Sequence, residues 1–455
     1  MRTWIKSPLA VFGAAHREAG GGVVVEGARI AELVAPGASP RAPAERVFDA
    51  SAHVLLPGLI NTHHHFYQTL TRALPAALDK PLFAWLHSLY PVWANLDDEM
   101  IDLATRLAAA ELLLSGCTTS ADHHYLYTAA SQRALDVQAG AIKDAGIRAT
   151  LTRGSMSLGR EQGGLPPQST VQDEDAILAD CARVIDAHHD ASRGAMLQVA
   201  LAPCSPFSVS MQLMRDTAEL AREKKARLHT HLAETEDETR FCREKFGVRP
   251  LEYLEQAGWL DGNNGKSGGD VWLAHGVHFD AGEIARLGAA GAGICHCPSS
   301  NMLLGSGQCP ALDLERAGCP LGLGVDGSAS NDCSNMMAEV RQAFLLQRLR
   351  YGAGEVSHLD ALRWATAGSA ACLGRDDIGR LARDCQADFA LFNLDAERFS
   401  GAADPLAALV LCGADRADYV MVAGEWKVER GEIPGLDLPQ LRARHGAAAA
   451  RLRAA

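Results

Sequence analysis

Two histidines close an apolar segment near residue 60 and have the spacing of a metal-binding pair. Residues 54–65 read Val-Leu-Leu-Pro-Gly-Leu-Ile-Asn-Thr-His-His-His. Side chains alternate between faces along a strand, so His63 and His65 are predicted to point the same way and His64 the other way. Two neutral imidazoles at the end of a strand can bind one divalent metal ion. One such pair is a weak signal, because His-x-His also arises by chance.

Further ionisable residues close later apolar segments of the chain. His229 and His231 follow Arg-Leu, His275 follows Val-Trp-Leu-Ala, and Asp326 follows Leu-Gly-Leu-Gly-Val. Each of these residues taken alone is better explained as a hydrogen-bonded core residue. The whole set, placed at separate strand ends, is better explained as a metal site. Three imidazoles and one carboxylate that leave a coordination position open are typical of a catalytic zinc or iron site.

Glu234 is the predicted proton carrier of this site. It lies three residues after His231, beyond the strand end, where its carboxyl group can lean back over a bound metal. Such a metal lowers the pKa of water, so that hydroxide is available near neutral pH. Glu234, Glu236, Asp237 and Glu238 also form an acidic helix start, which is the alternative explanation of the charge. The position of Glu234 favours the catalytic role for this residue and not for its neighbours.

The elements that must position these residues are apolar strands separated by helical patterns. The strands are predicted at residues 54–60, 118–122, 148–152, 196–202, 227–231, 271–274, 292–297 and 321–325. Helical patterns lie between them, for example at residues 99–114, 176–188, 211–224, 281–287 and 335–349. Eight strand–helix units over about 310 residues predict a (β/α)8 barrel, in which the functional residues lie at the carboxyl ends of the strands.

Short strands near both ends of the chain predict a second, smaller domain. Period-two alternation with turn residues is found at residues 23–26, 30–34, 46–49, 387–393 and 419–422. We therefore expect an α/β protein in which a TIM barrel carries a small flanking β-sandwich domain built from both chain ends. Residues 57–372 are assigned to the barrel. Residues 1–56 and 373–455 are assigned to the β-domain, with residues 439–455 as a solvated tail helix.

Composition and charge limit the partners that this chain can have. Of its 455 residues 47% are hydrophobic and 22% charged, and the formal net charge is −12. That charge argues against nucleic acid and leaves a small molecule as the expected partner. No apolar run approaches the roughly 18 residues of a membrane span. Arg2, Lys6 and the apolar stretch at residues 9–15 faintly resemble a signal peptide, but the stretch is short and a strand pattern follows at once, so secretion is the minor alternative. Its 12 cysteines show no disulfide framework, so a cytoplasmic protein is expected, and Cys295-His296-Cys297 is interpreted as strand packing.

The motifs together resemble those of the amidohydrolase superfamily, in the mononuclear deaminase branch that includes guanine deaminases and triazine hydrolases. The resemblance covers nearly the whole chain and rests on Pro-Gly-Leu-Ile-Asn-Thr-His-His-His (57–65), His-Leu-Ala-Glu (231–234), Leu-Ala-His-Gly-Val-His (273–278), His-Cys-Pro-Ser-Ser-Asn (296–301) and Gly-Val-Asp-Gly-Ser-Ala-Ser-Asn-Asp (324–332). It implies that His63, His65, His231 and Asp326 hold one divalent metal ion, Zn²⁺ or Fe²⁺. Binuclear members carry a lysine at the end of strand 4, and residues 196–204 contain none.

The resemblance also implies roles for the catalytic residues. Asp326, assisted by His275, takes a proton from the attacking water, and Glu234 protonates a ring nitrogen next to a C–NH2 carbon. The amine then leaves as ammonia. His229 matches no family ligand, and both strand packing and a role behind the ligands stay open for it. His123 and His124 are candidates for lining the pocket.

The substrate class is inferred from residues around the predicted pocket. Gln68 stands where guanine deaminases place a glutamine that binds the purine edge, and Trp93 can supply an aromatic face. Guanine deaminases usually carry an Arg-Phe pair after strand 4, whereas residues 203–207 here read Pro-Cys-Ser-Pro-Phe. Arg153 is then a candidate anchor, with a surface arginine as the alternative. Cys204, Ser205 or a backbone carbonyl of the same loop are candidate acceptors for a donor nitrogen of the ring.

Three segments most resemble the subgroup of 8-oxoguanine deaminases, namely His-His-His-Phe-Tyr-Gln-Thr-Leu-Thr-Arg (63–72), Ser-Ala-Asp-His-His-Tyr-Leu-Tyr (120–127) and Arg-Gly-Ser-Met-Ser (153–157). The implied reaction converts 8-oxoguanine and water to uric acid and ammonia. A hydroxyatrazine-type triazine hydrolase and a guanine deaminase are the alternatives on the same scaffold. A metal-holding protein without catalysis is the alternative outside enzymes. The resemblance further implies a homodimer.

Overall fold

The computed structural model describes residues 1–262 and 269–454. In this part of the chain the strands are β1 (Arg2–Lys6), β2 (Ala10–Val11), β3 (Gly22–Glu26), β4 (Arg29–Val34), β5 (Arg46–Asp49), β6 (His53–Pro57), β7 (Leu59–Asn61), β8 (Cys117–His124), β9 (Arg148–Ser155), β10 (Leu197–Pro203), β11 (Arg227–Leu232), β12 (Val271–His275), β13 (Gly293–His296), β14 (Leu321–Leu323), β15 (Phe389–Asn393), β16 (Tyr419–Val422) and β17 (Glu425–Glu429). The α-helices are α1 (His16–Ala19), α2 (Leu82–Trp93), α3 (Asp98–Leu114), α4 (Ala134–Ala145), α5 (Glu174–His188), α6 (Met211–Glu223), α7 (Glu236–Phe246), α8 (Pro250–Gln256), α9 (Ala281–Ala290), α10 (Pro298–Leu303), α11 (Ala311–Arg316), α12 (Met336–Tyr351), α13 (His358–Arg363), α14 (Ser369–Cys372), α15 (Pro405–Leu411) and α16 (Leu438–Ala454).

Strands β7 to β14 close into a parallel barrel in the order β10-β11-β12-β13-β14-β7-β8-β9. Strands β8 and β9 are buried along their whole length, as expected when helices cover the outside of a parallel sheet. Two further sheets have the orders β4-β3-β1-β5 and β17-β16-β15-β6-β2. The second sheet pairs strands from the two chain ends, which confirms the predicted fold class. The division of the chain at residues 56 and 372 stays a prediction.

The segment predicted as the first barrel strand, residues 54–60, is in fact two strands. β6 pairs with β15 in the small sheet, whereas β7 lies in the barrel. The chain crosses between the sheets at Gly58, where a Cβ atom would lie 2.0 Å from the Thr118 hydroxyl. His63 and His65 therefore follow the end of the barrel strand, and the expected alternation within a strand does not apply to them.

The predicted tail helix forms, but one of its faces is packed against the rest of the protein and only the remainder is solvated. Helix α16 packs against α3 and a 3-10 helix at Phe66–Thr71, and its buried residues are Leu441, His445, Ala448, Ala449 and Leu452. The ring Nε2 of His445 lies 3.0 Å from the Thr69 hydroxyl. Alanines at helical spacing allow this close approach, which the Ala/Arg composition alone does not indicate. Ala455 lies outside the described residues.

Among the described residues we find no helix that is both long and apolar enough to cross a lipid bilayer.

A buried ion pair joins the barrel to the small sheet. The Arg148 guanidinium, on β9, donates to the Asp388 carboxylate beside β15 at 2.9 and 3.1 Å, and both side chains are almost fully buried. Arg148 also donates to the main-chain oxygens of Gly194 and Ala195. The pair therefore connects strands from distant parts of the chain.

Replacing Asp388 with alanine is expected to lower the free energy of unfolding by about 3–5 kcal/mol, because it leaves a buried guanidinium without its counter-charge. Urea unfolding followed by circular dichroism measures this change. The matched control is Asp144→Ala, which removes the largely exposed partner of Arg106 and should cost less than about 1 kcal/mol. Equal losses in the two variants would contradict the structural role of the buried pair.

Candidate metal centre and active site

The barrel brings four predicted metal ligands to one point. His63 and His65 follow β7, His231 lies near the end of β11, and Asp326 follows β14. All four side chains are buried. Asp326 Oδ1 lies 3.2 Å from the Nε2 atoms of both His63 and His65, and the Nε2 atoms of His65 and His231 are 3.1 Å apart.

The imidazoles of His65 and His231 are held in a defined tautomer by main-chain oxygens. Nδ1 of His65 lies 2.6 Å from the carbonyl oxygen of His123, and Nδ1 of His231 lies 2.6 Å from that of Cys204. A carbonyl oxygen only accepts, so each ring carries its proton on Nδ1 and keeps a lone pair on Nε2. Two lone pairs at 3.1 Å repel each other unless a positive charge lies beside them.

The donor atoms fit a divalent metal ion. Metal–donor bonds of about 2.0–2.2 Å place neighbouring donor atoms roughly 3.0–3.4 Å apart, which matches the separations in this cluster. Among the described residues, none hydrogen-bonds to the buried Nε2 of His63. Ring nitrogens of His63, His65, His123 and His231 lie within 4.8 Å of one another, and so do donor atoms of His63, His275 and Asp326. This cluster can hold a metal.

The electrostatics of the cluster also favour a bound cation. Burial lowers the pKa of His63 and His231, whereas Asp326 raises the pKa of His65 in spite of equal burial. Burial opposes ionisation of Asp326, but the nearby imidazoles of His63 and His65 outweigh it and lower the pKa of that carboxyl well below its usual value. A carboxylate beside neutral imidazoles with free lone pairs is the arrangement that attracts a metal ion.

Glu234 and His275 stand beside this cluster. Glu234 Oε2 lies 3.5 Å from His275 Nε2, which in turn lies 3.9 Å from Asp326 Oδ2. Burial, followed by the charge of Asp326, raises the pKa of Glu234 well above its usual value, so that the carboxyl group can hold a proton for donation. Glu238 accepts a hydrogen bond from the Glu234 main-chain N–H at 2.8 Å and so fixes the turn that presents Glu234.

The residues of the site adopt an uncommon backbone conformation. Ala233, His275 and Asp326 have φ values of 53°, 72° and 61°, in the left-handed region that residues other than glycine rarely adopt. Such strain costs about 1–3 kcal/mol per residue and is found mostly at functional sites. At Asp326 it is held by a main-chain hydrogen bond to the His63 carbonyl oxygen at 3.0 Å.

Two residues that hydrogen-bond to the predicted catalytic groups were not identified from the sequence. The Ser300 hydroxyl donates to Asp326 Oδ2 at 2.6 Å, and Asn301 Oδ1 lies 3.0 Å from His275 Nδ1. Both belong to the motif at residues 296–301, in which only the resemblance was noted. Their position directly after strand β13 was the signal that could have identified them.

A cavity opens beside the cluster. The predicted catalytic residues Glu234, His275 and Asp326 lie on its wall, and aromatic rings of Trp85, Tyr90, Tyr125 and Phe207 form much of the rest. A flat heterocycle suits such a wall, because ring faces pack against it and water is displaced.

Comparison with known proteins identifies the family of the chain. The model of the amidohydrolase family matches residues 54–427. The chain belongs to the amidohydrolase family. This confirms the resemblance inferred from the sequence motifs.

Three relatives of this amidohydrolase are informative. It is 60% identical to the 8-oxoguanine deaminase of Pseudomonas aeruginosa over 451 residues, which cover 99% of both chains. It is 40% identical to the hydroxydechloroatrazine ethylaminohydrolase of Pseudomonas sp. strain ADP over 396 residues, 85% of this chain and 80% of that protein. Its structure matches the atrazine chlorohydrolase of Arthrobacter aurescens TC1 in complex with zinc, with a TM-score of 0.90, 30% identity and coverage of 98% and 100% of the two chains.

Two of the five predicted substrate-binding residues of this amidohydrolase line the cavity. Gln68 and Cys204 are on its wall. Among the described residues, Trp93 and Ser205 stand behind that wall: the Trp93 indole N–H donates to the Thr71 hydroxyl at 3.1 Å, and the Ser205 hydroxyl lies 2.7 Å from that of Ser208.

Arg153 is placed away from the cavity, which removes the basis for its expected role as a substrate anchor. Its guanidinium donates to Asp180 at 2.7 Å and to Gln172 at 2.9 Å, and it lies 3.7 Å from the ring centroid of Tyr127. These partners come from α5, from the segment before it and from the segment after β8. The arginine therefore stabilises the barrel wall.

His123 and His124 do not reach the described cavity wall either. His123 stacks on His231 with ring centroids 4.7 Å apart, and its Nε2 lies 2.9 Å from the Ala202 carbonyl oxygen. The Nε2 of His124 lies 2.7 Å from the Leu126 carbonyl oxygen. His123 packs behind the cluster, and His124 stabilises the turn after β8. Cys295 and Cys297 are buried in the barrel with sulfur atoms 3.6 Å apart.

Proposed function

We propose that this amidohydrolase is a metal-dependent aminopurine deaminase that converts 8-oxoguanine and water to uric acid and ammonia. The observation that carries the proposal is the 60% identity to the Pseudomonas aeruginosa 8-oxoguanine deaminase over 99% of both chains. The cavity supports it, because Glu234, His275 and Asp326 meet there beside the histidine cluster.

We assign one divalent metal ion to His63, His65, His231 and Asp326. When bound, the ion makes a water molecule acidic enough to act as a nucleophile near neutral pH. Zinc is the favoured metal because the matching triazine-hydrolase structure contains zinc, and Fe²⁺ suits the same donors. One ion per chain is expected, since β10 has no lysine that could bridge a second. A metal titration that reached two tightly bound ions per chain would contradict this stoichiometry.

The proton transfers are assigned to the residues on the cavity wall. Asp326 accepts a proton from the attacking water, and His275 orients that water through Nε2, because its Nδ1 is directed to Asn301. Glu234 donates its proton to the ring nitrogen next to the C–NH2 carbon as water adds. Asp326 then passes the proton taken from water to the amino group, which leaves as ammonia, and the hydroxyl proton of the tetrahedral centre returns to Glu234. The apolar rings around the cavity exclude other water during these steps.

Gln68 and Cys204 are proposed to recognise the purine. Gln68 Oε1 accepts from the Ala329 main-chain N–H at 3.3 Å, so its amide nitrogen is the proposed donor to a lactam oxygen. In 8-oxoguanine N7 carries a hydrogen, whereas in guanine it is an acceptor, so selection requires an acceptor close to N7. Burial raises the pKa of the Cys204 thiol to about 12 and keeps it neutral, and its sulfur is a candidate acceptor.

We further propose that the protein is cytoplasmic and forms a homodimer. All 12 cysteines are free thiols, and 11 of them are buried or partly buried, which suits a reducing compartment. The dimer is proposed from the family resemblance.

Ammonia release by the zinc-loaded protein tests the function. The substrates compared are 8-oxoguanine, guanine, isocytosine, S-adenosylhomocysteine and hydroxyatrazine. We expect kcat/KM for 8-oxoguanine to exceed that for guanine by roughly tenfold or more, as a site that pairs with N7–H discriminates against a ring without it. Turnover of hydroxyatrazine alone would agree with the assigned metal site but would contradict the assigned substrate. The metal-free protein is the control, and no turnover of any of the five would contradict the proposal.

A further inference from the structure

A chain of hydrogen bonds runs behind His63, away from the cavity. The ring of His229 is buried, and its Nε2 lies 2.8 Å from Nδ1 of His63. On its other side, His229 Nδ1 lies 2.8 Å from the carbonyl oxygen of Trp272. His229 and Trp272 are register partners on the adjacent strands β11 and β12, so the geometry is built into the barrel.

The donor and acceptor capacities of these groups determine where the protons lie along this series of hydrogen bonds. The Trp272 carbonyl has no proton to give, so His229 donates from Nδ1. A neutral imidazole then has its lone pair on Nε2, which accepts from Nδ1 of His63. His63 in turn keeps its own lone pair on Nε2, the atom that faces the cluster. A single carbonyl oxygen thus determines the tautomer of a ring two hydrogen bonds away.

The surroundings hold both rings in place. His229 stacks on the indole of Trp272 with centroids 4.3 Å apart and an interplanar angle of 15°. The indole N–H of Trp272 donates to the Thr62 carbonyl oxygen at 3.0 Å, one residue before His63. His65 and His231 donate to main-chain oxygens, whereas His63 donates to a side chain. The acceptor of His63 can therefore be changed by substitution.

We propose that His229 is a positioning residue that fixes the tautomer and the ring orientation of His63 for metal binding. The proposal rests on the metal site assigned above. It predicts that the acceptor on residue 229, and not its aromatic ring, supports metal affinity. Partners of this kind typically contribute about 10–100-fold to the affinity of a metal site.

Two variants separate the acceptor from the ring. His229→Phe keeps the stacking on Trp272 and removes the acceptor, whereas His229→Gln loses the ring and offers an amide oxygen to His63. Zn²⁺ affinity of the full-length protein is measured by competition with a chelator, and folding is checked by circular dichroism. We expect the dissociation constant to rise about 10–100-fold in the phenylalanine variant and severalfold at most in the glutamine variant.

The outcomes distinguish this inference from the proposed function. Wild-type affinity in the phenylalanine variant, or equal losses in both variants, would overturn the acceptor role. Failure of the wild-type protein to bind Zn²⁺ would overturn the metal site itself. If the phenylalanine variant does not fold, ¹⁵N spectra of the wild-type imidazoles decide: protonation of His63 and His229 at Nδ1 supports the inference, and protonation of either at Nε2 overturns it.

Discussion

Replacing Glu234 with glutamine is expected to reduce turnover of 8-oxoguanine by about 10²–10⁴-fold, the range attributed to a well-placed general acid. Glutamine preserves the size and the neutral state of the protonated carboxyl group, but it cannot transfer a proton to the ring nitrogen. Glu234 is not among the proposed metal ligands, and its Oε2 is directed towards His275 Nε2 at 3.5 Å. The zinc content should therefore stay at the wild-type level.

Steady-state ammonia release and elemental analysis of the same preparation measure the two quantities together. The matched control is Glu236→Gln, two residues further along in the first turn of α7, where the side chain is exposed. It should leave both turnover and zinc content unchanged. A Glu234→Gln enzyme that retains turnover would remove Glu234 from the proton-transfer role, and a loss of zinc would assign it a part in the metal site.

The clustering of the predicted metal ligands could be inferred from the sequence because their position depends on a regular feature of the fold. Parallel strands of a barrel end at one face, so ionisable residues that follow apolar segments meet there whatever their separation in the chain. His63, His231 and Asp326 illustrate this, since they come from three different parts of the chain. The His-x-His motif at residues 63–65 was recognised even though the strand predicted before it, residues 54–60, is in fact two strands.

The predictions that failed concern residues whose surroundings are set by contacts between distant parts of the chain. Arg153 was available in the sequence as an anchor, but the carboxylate that binds it, Asp180, lies on α5, and no local pattern indicates that pairing. Likewise, the burial of α16 depends on the surface of α3. The left-handed conformations of His275 and Asp326 are also set by their surroundings. Local sequence patterns predicted the elements, whereas these contacts required the assembled barrel.

Replacing Asp326 with asparagine is expected to have an effect as large as that of Glu234→Gln, for two physical reasons. An amide cannot take the proton of the attacking water, which alone removes about 10²–10⁴-fold in turnover. It also removes the negative charge that lies 3.2 Å from the Nε2 atoms of both His63 and His65, so zinc affinity should fall as well. Turnover at saturating zinc separates the two contributions.

Ser300→Ala provides the graded comparison for Asp326→Asn. The Ser300 hydroxyl donates to Oδ2 of Asp326 at 2.6 Å, while Oδ1 faces the imidazoles. Its loss should leave the carboxylate charged but less well oriented, with a decrease in turnover of about tenfold, the order expected for one hydrogen bond to a charged group.

An Asp326→Asn variant that binds zinc normally and is inactive would assign Asp326 mainly to proton transfer. Wild-type turnover in that variant would contradict both roles, because neither the charge nor the proton acceptor would then be needed.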